Sequence, residues 1–291
     1  MIIVDLNQVM IANIMALYGK HIGETPIELD LFRSTTLNTL RSFNKKFSGE
    51  YGEMVIASDG KRSWRKDVFP HYKANRKKNR EKSDIDWTLI FNNLTAVREE
   101  LKEFFPYRVI HLDGAEADDI IGVLVSEFSK RVGFEKENIL ILSGDKDFIQ
   151  LQAYNSAVSV KQYDPINKKY IQSADPKQYM KEHILKGDVG DGIPNFLSVD
   201  NSFVDNIRQK PILKKNLNEW MLLPVEQFCN EEMLRNYRRN ETLIDLSKTP
   251  QSLREKIMFE YERQSGKDKS KIFNYFIKNK LKVLMESIND F

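Results

Sequence analysis

Nine carboxylates recur in short clusters along the chain: Asp5 in IIVD, Asp59 in ASDG, Glu116, Asp118 and Asp119 in DGAEADDIIGVL, Asp145 and Asp147 in LSGDKDF, and Asp188 and Asp191 in KGDVGDGIP. Taken singly, each has an ordinary explanation, because acids cap helix N-termini and Asp is a frequent turn former. Brought together, they would repel one another and titrate upward unless a cation neutralised them. Apart from Lys146, no Lys or Arg is interspersed in EADD or SGDKD. No His/Cys set is spaced to hold zinc, whereas oxygen ligands suit magnesium or manganese.

A second feature lies between Lys61 and Lys82, KRSWRKDVFPHYKANRKKNREK, where ten Lys/Arg stand against Asp67 and Glu81, a local net charge of +8. A charge run is usually a solvated face. Here Trp64, Phe69, His71 and Tyr72 are interleaved with the cations, a pattern that suits bases stacked beside a phosphate track. Lys61, Arg62, Lys66, Lys77, Lys78 and Arg80 are the candidate backbone-binding cations. Carboxylates beside such a track are the combination expected for two-metal phosphodiester hydrolysis, in which ions about 4 Å apart activate water and stabilise the leaving oxygen.

Those residues need elements to position them. IIVD (2–5), MVIAS (54–58), YRVIHL (107–112) and NILIL (138–142) read as buried strands, and helical spacing covers 7–18, 30–47, 86–105 and 116–130. A short helix is expected near Asp147, followed by a hairpin of VSVKQY (158–163) and KKYIQ (168–172); beyond about 176 the chain reads as helices and loops. Strands separated by helices imply an α/β fold with a mostly parallel central sheet flanked by helices. In such a sheet all strand C-termini share one edge, so the acid clusters should converge in one crevice there. The expected organisation is an α/β core over 1–185, with a basic arch at about 61–85, and a smaller helical domain over 186–291.

Bulk properties agree with this and exclude other classes. A chain of 291 residues with 41% hydrophobic content can support a large core. No run approaches the ~18 apolar residues of a membrane span. MIIVDLNQVM lacks the basic lead and cleavage site of a signal peptide, and Cys229 is the only cysteine. A cytoplasmic protein is therefore expected. The net charge of +3 announces no nucleic-acid binder; the distribution of charge does.

The ordered set IIVD, ASDG, HYKANR, EADD, SGDKDF and KGDVGDGIP resembles the flap endonuclease, or 5′-nuclease, family, its phage members included, over nearly the whole chain. The resemblance implies a PIN-like core and a 5′-to-3′ exonuclease and flap endonuclease with ribonuclease H activity, removing RNA primers from RNA–DNA hybrid, duplex or 5′-flap DNA during lagging-strand replication. It implies two Mg2+ ions, with Mn2+ as substitute. One would be held by Asp5, Asp59, Glu116 and Asp118, the other by Asp145, Asp147 and Asp191, with Asp118 near both and Asp188 an outer member. Lys73 and Arg76 match cations that polarise the scissile phosphate, Tyr72 an aromatic that packs on the substrate, and Arg65 and Lys66 the same basic wall. Asp119 is assigned to local structure or an outer shell. Candidate protein partners are a single-stranded DNA-binding protein and a sliding clamp, with the chain a monomer.

One departure follows KGDVGDGIP. The family's glycine-rich hairpin between two helices is replaced by NFLSVDNSFVDNI, so an irregular helix-hairpin-helix is expected. The basic clusters RRN (238–240) and GKDKSK (266–271) suit phosphate contacts without base readout. Trp87 reads as a core residue at a helix start, Cys229 as a small buried hydrophobe, and His21 and His183 show no partner spacing. Two other functions compete: a PIN-like endoribonuclease, which needs neither the arch nor the acids at 188 and 191, and a non-catalytic nucleic-acid module, in which unneutralised carboxylates would oppose binding.

Overall fold

Four short runs rich in branched apolar residues become neighbouring strands: β1 (Ile2–Asp5), β2 (Met54–Ser58), β3 (Arg108–His111) and β4 (Asn138–Leu142). The computed structural model describes residues 1–19, 27–131 and 137–291, leaving His21 and the side chain of Lys77 outside the description. With β5 (Ser159–Asp164) and β6 (Lys169–Ile171) the strands form a six-stranded sheet in the order β3-β2-β1-β4-β5-β6. Every pairing is parallel except the β5–β6 hairpin.

β1, β2 and β4 lack polar alternation because both faces of the sheet are covered there. Ile2, Val4, Ile56, Leu140 and Leu142 enter one core with α1 (Leu6–Tyr18), α2 (Leu29–Tyr51) and α5 (Trp87–Phe104). Ile3, Val55, Ala57, Ile139 and Ile141 enter the other with α6 (Ala117–Ser129) and a 3-10 helix at Lys146–Ser156. The short helix expected near Asp147 is therefore a 3-10 helix.

The basic segment after β2 folds into two short helices, α3 (Arg65–Val68) and α4 (Ala74–Glu81). Beyond the sheet come α7 (Pro176–Lys186), α8 (Lys214–Leu222), α9 (Val225–Phe228), α10 (Glu231–Ile244), α11 (Gln251–Arg263), α12 (Ile272–Lys278) and α13 (Lys282–Met285). Where a helix-hairpin-helix is expected, α7 and α8 are joined by turns over 187–213, opened by a bridge between Asp188 and Ile193.

The last helices return to the sheet. Ile257 and Tyr261 of α11 enter the second core, and Phe276 and Phe291 enter the first. There they meet Phe105 at ring-centroid distances of 6.1 and 5.5 Å. A third core joins Phe69 and Tyr72 of the basic segment to Ile184 and Leu185 of α7 and to Tyr237, Leu243 and Ile244 of α10.

Candidate functional site

Strand order reverses between β1 and β4, so the loops leaving these two strands diverge and open a crevice at their C-terminal ends. The crevice encloses about 650 Å³ and is lined by Asp5, Asp59, Asp118, Asp145, Asp147, Asp188 and Asp191, together with Lys73 and Arg76. Glu116 faces an adjoining recess of about 530 Å³, which also takes in Asp59, Lys61, Arg62, Lys66, Tyr72, Lys73, Arg76 and Arg80.

Most of these acids are fixed by the helix or turn that follows them. Asp5 caps α1 by accepting from the backbone N–H of Gln8 at 3.1 Å, and Asp145 caps the 3-10 helix through Asp147 N at 3.0 Å. Asp59 accepts from Ala117 N at 2.8 Å, tying the β2 exit to the start of α6. Asp188 accepts from Asp191 N at 3.0 Å and closes its own turn. Capping and site construction are thus one device: a backbone N–H at a helix start or turn aims one carboxylate oxygen, while the other meets a side chain, Ser143 Oγ at Asp5 and Asn7 Nδ2 at Asp59. Gly60 is required next to Asp59, because a Cβ there would lie 2.1 Å from Leu112 O.

Glu116 and Asp119 form a capping box on α6. Asp119 is fully buried away from the crevice. It accepts from Arg65 at 2.9 Å, Trp64 Nε1 at 3.0 Å and Thr249 Oγ1 at 2.9 Å. Asp118, pointing the other way, has no hydrogen-bond partner among the described residues and lines the crevice.

The electrostatics divide the acids. Burial, then neighbouring Asp59 and Asp145, push Asp5 up to about 7. Burial and Asp145 likewise push Asp147 to about 7 and Asp118 well above the ordinary carboxylate range. Burial also raises Asp59. Glu116 behaves oppositely. Burial works against its charge, but Lys73 and Arg65 outweigh it and hold the carboxyl near 2. Lys73 Nζ lies 2.5 Å from Glu116 Oε1 and 3.5 Å from Asp191 Oδ2, and Arg76 pairs with Asp191. Asp5, Asp59 and Asp118 therefore form an all-oxygen set, buried at Asp5 and half-buried at the other two, that lacks enough protein cations. This donor chemistry fits a hard divalent ion.

The interleaved aromatics do not form the expected stacking track. Phe69 and Tyr72 are 3% and 1% exposed and belong to the third core, and Trp64 packs on the second. Aromatic rings bury large apolar areas, and here that outweighs exposure to a substrate. The Tyr72 hydroxyl lies 2.9 Å from Glu116 Oε2 and 2.8 Å from Asp191 Oδ2, so it orients acids. Arg65, placed by sequence on the basic wall, is 2% exposed. It donates to Glu116 at 3.1 Å, Asp119 at 2.9 Å and the Leu243 carbonyl at 2.7 Å. Lys78 is exposed and lines neither cavity.

Several site residues carried no sequence signal. Asn7 donates to Asp59 Oδ2 at 3.0 Å, and Gln8 Oε1 accepts from Gly144 N at 2.6 Å and Ser143 Oγ at 3.1 Å. Their position directly after the Asp5 strand exit was the available clue. His183 was set aside, yet its ring lies 3.4 Å from both Asp147 and Asp188. Its partners are distant in sequence, so spacing could not reveal them.

Comparison with known proteins places the chain in a family. The description "5′-3′ exonuclease, N-terminal resolvase-like domain" matches residues 12–184, and "T4 RNase H, C terminal" matches residues 175–291. The chain belongs to the 5′-3′ exonuclease family of nucleases, hydrolases with a PIN-like core. It is 32% identical over 300 residues to ribonuclease H of Enterobacteria phage T4, covering 99% of this chain and 95% of that protein. It is also 30% identical over 156 residues to flap endonuclease Xni of Psychromonas ingrahamii, covering 53% of each. The bacteriophage T5 flap endonuclease, solved as a pseudo-enzyme–product complex with DNA and metal ions, shares the fold at a TM-score of 0.61 with 18% identity, covering 90% of this chain and 98% of that one. Among the described residues no helix is long and apolar enough to cross a membrane.

Two outcomes follow from this geometry. Arg65→Met should destabilise the fold by about 3–5 kcal/mol in chemical denaturation, because it leaves Asp119 buried without a counter-charge. Asp5 and Asp147 titrate higher folded than unfolded, so without metal the folded form binds the extra protons. Their contribution is greatest below the ordinary carboxylate pKa and is lost as pH rises through about 7. In chelator, Asp5→Asn and Asp147→Asn should each flatten the fall in Tm between about pH 4 and 7; an unchanged slope would count against these assignments.

Proposed function

We propose that this chain is a divalent-metal-dependent 5′-to-3′ exonuclease and flap endonuclease acting on RNA–DNA hybrid, duplex DNA and 5′ flaps, and removing RNA primers in lagging-strand replication. The observation that carries this reading is the convergence of acids from separate strand exits into one buried crevice, with Lys73 and Arg76 on its rim. The full-length likeness to a phage ribonuclease H supports the substrate class and a setting in the host cytoplasm. A single-stranded DNA-binding protein and a sliding clamp, with the enzyme monomeric, belong to the same proposal.

In this reading Asp5, Asp59, Glu116 and Asp118 hold one Mg2+, and Asp145, Asp147, Asp188 and Asp191 a second, with Mn2+ able to replace either. When bound, such ions supply a more acidic water and Lewis-acid stabilisation of phosphoryl oxygens.

The chain's own residues do the rest. Lys73 and Arg76 line both the acidic crevice and the basic recess, so a phosphate spanning the two spaces touches both cations. Lys73 offers a point charge and Arg76 a planar fork for phosphate oxygens. Lys73 is held in the left-handed conformation, at a φ of 56°, by its N–H bond of 2.7 Å to the Asp191 carbonyl. The cation is therefore placed before substrate arrives, which favours charge developing in the transition state. Lys61, Arg62, Lys66 and Arg80, lining the recess, suit the phosphates that follow along the strand. Tyr72 and Arg65 act one step back, fixing Glu116 and Asp191 in their rotamers.

Asp118→Asn and Asp145→Asn should abolish cleavage of a 5′-labelled flap while leaving its binding largely intact, and omission of magnesium should do the same to the native enzyme. Lys73→Ala and Arg76→Ala should slow single-turnover cleavage by roughly 10²–10³-fold with a smaller effect on affinity. Comparison of a DNA flap, a nicked duplex and an RNA–DNA hybrid tests the substrate class. Cleavage without a divalent ion, or unchanged single-turnover rates in the variants, would overturn the mechanism.

A further inference from the structure

One histidine, on α7, stands directly behind two of the acids that line the crevice. His183 Nδ1 lies 3.4 Å from Asp147 Oδ1, and Nε2 lies 3.4 Å from Asp188 Oδ2. One donor atom from each of the three residues falls within 4.8 Å of the other two. Ligands at about 2.0–2.3 Å from a single ion have this spread. The ring is also held in place. Its neighbours Ile184 and Leu185 are anchored in the third core, and the Tyr179 ring stands edge-on at 6.1 Å.

Resting on the reading of this crevice as a divalent-metal site, we propose that His183 supplies a nitrogen ligand to the cation held by Asp147 and Asp188. Imidazole is a borderline donor that suits transition ions, whereas Mg2+ takes oxygen ligands. The crevice then has two chemically unlike halves. The half built from Asp5, Asp59 and Asp118 offers only oxygen, and the half containing His183 favours Mn2+, Co2+ or Zn2+ over Mg2+. With one ring nitrogen on the ion, the other faces a carboxylate, an arrangement that fixes the orientation of metal-bound histidines.

The test is pulsed EPR of the full-length protein loaded with Mn2+, reading echo modulation from directly bound nitrogen. The native protein should show imidazole ¹⁴N modulation, which changes to the ¹⁵N pattern on ¹⁵N-histidine labelling. The signal should persist in His71→Gln and disappear in His183→Gln, with Mn2+ affinity falling ~10-fold and Mg2+ affinity falling less. His183→Asp should bind Mn2+ without nitrogen modulation. Mn2+ bound in the native crevice without nitrogen coupling, or coupling that survives in His183→Gln, would overturn the proposal and leave the metal site standing. Mn2+ binding insensitive to both Asp147→Asn and Asp188→Asn would instead overturn the metal site itself.

Discussion

Like charges crowded into a partly dry crevice are the constraint on which the rest of this structure depends. Asp5, Asp59, Asp118, Asp145, Asp147, Asp188 and Asp191 line one space, and burial penalises charge on several of them before any neighbour is counted. The protein donors that reach these acids are mostly neutral backbone N–H, hydroxyl and amide groups, which orient them without cancelling their charge. The set holds because each strand ends in a helix or turn whose N–H groups fix a carboxylate oxygen, and because the sheet on which all of it rests is buried on both faces.

The basic segment answers this constraint in two ways. Arg65 goes inside, where it neutralises Glu116 and Asp119 and ties them to the Leu243 carbonyl at the end of α10. Lys73 and Arg76 stay at the rim, paired with Glu116 and Asp191 but open to the space a phosphate would enter. The aromatics between these cations are what allow the division. Phe69 and Tyr72 anchor the segment in the third core, so cations a few residues apart have opposite fates. A sequence of alternating charge and aromatic residues can thus be a buried anchor as readily as a stacking track, and the deciding quantity is the apolar area available nearby to cover the rings.

Much of the architecture was legible in the residue pattern. The strands at 2–5, 54–58 and 138–142 were set by short branched apolar runs and the helices by their apolar spacing, whereas the caps at Asp5 and Asp86 emerged only in the structure. Five of the crevice acids, Asp5, Asp59, Asp118, Asp145 and Asp147, could be assigned there from strand exits, because a parallel sheet leaves its C-terminal ends no other place to meet; Asp188 and Asp191 follow a helix instead. Asp118 and Asp119 were not separable in that way. Adjacent positions at a helix start diverge by about 100°, so one faces the crevice and the other the buried Arg65.

What the sequence by itself determined is the order of elements, the edge on which the acids gather and the membership of the chain in the 5′-nuclease family, since these depend on local pattern and on the single geometry open to a parallel sheet. Only the tertiary structure decided which charges are paired, which aromatics are buried, and that His183 stands between Asp147 and Asp188 across 36 and 5 residues of chain. Pairing and burial depend on distance in space, and the chain brings those partners together only when three separate cores have closed around them.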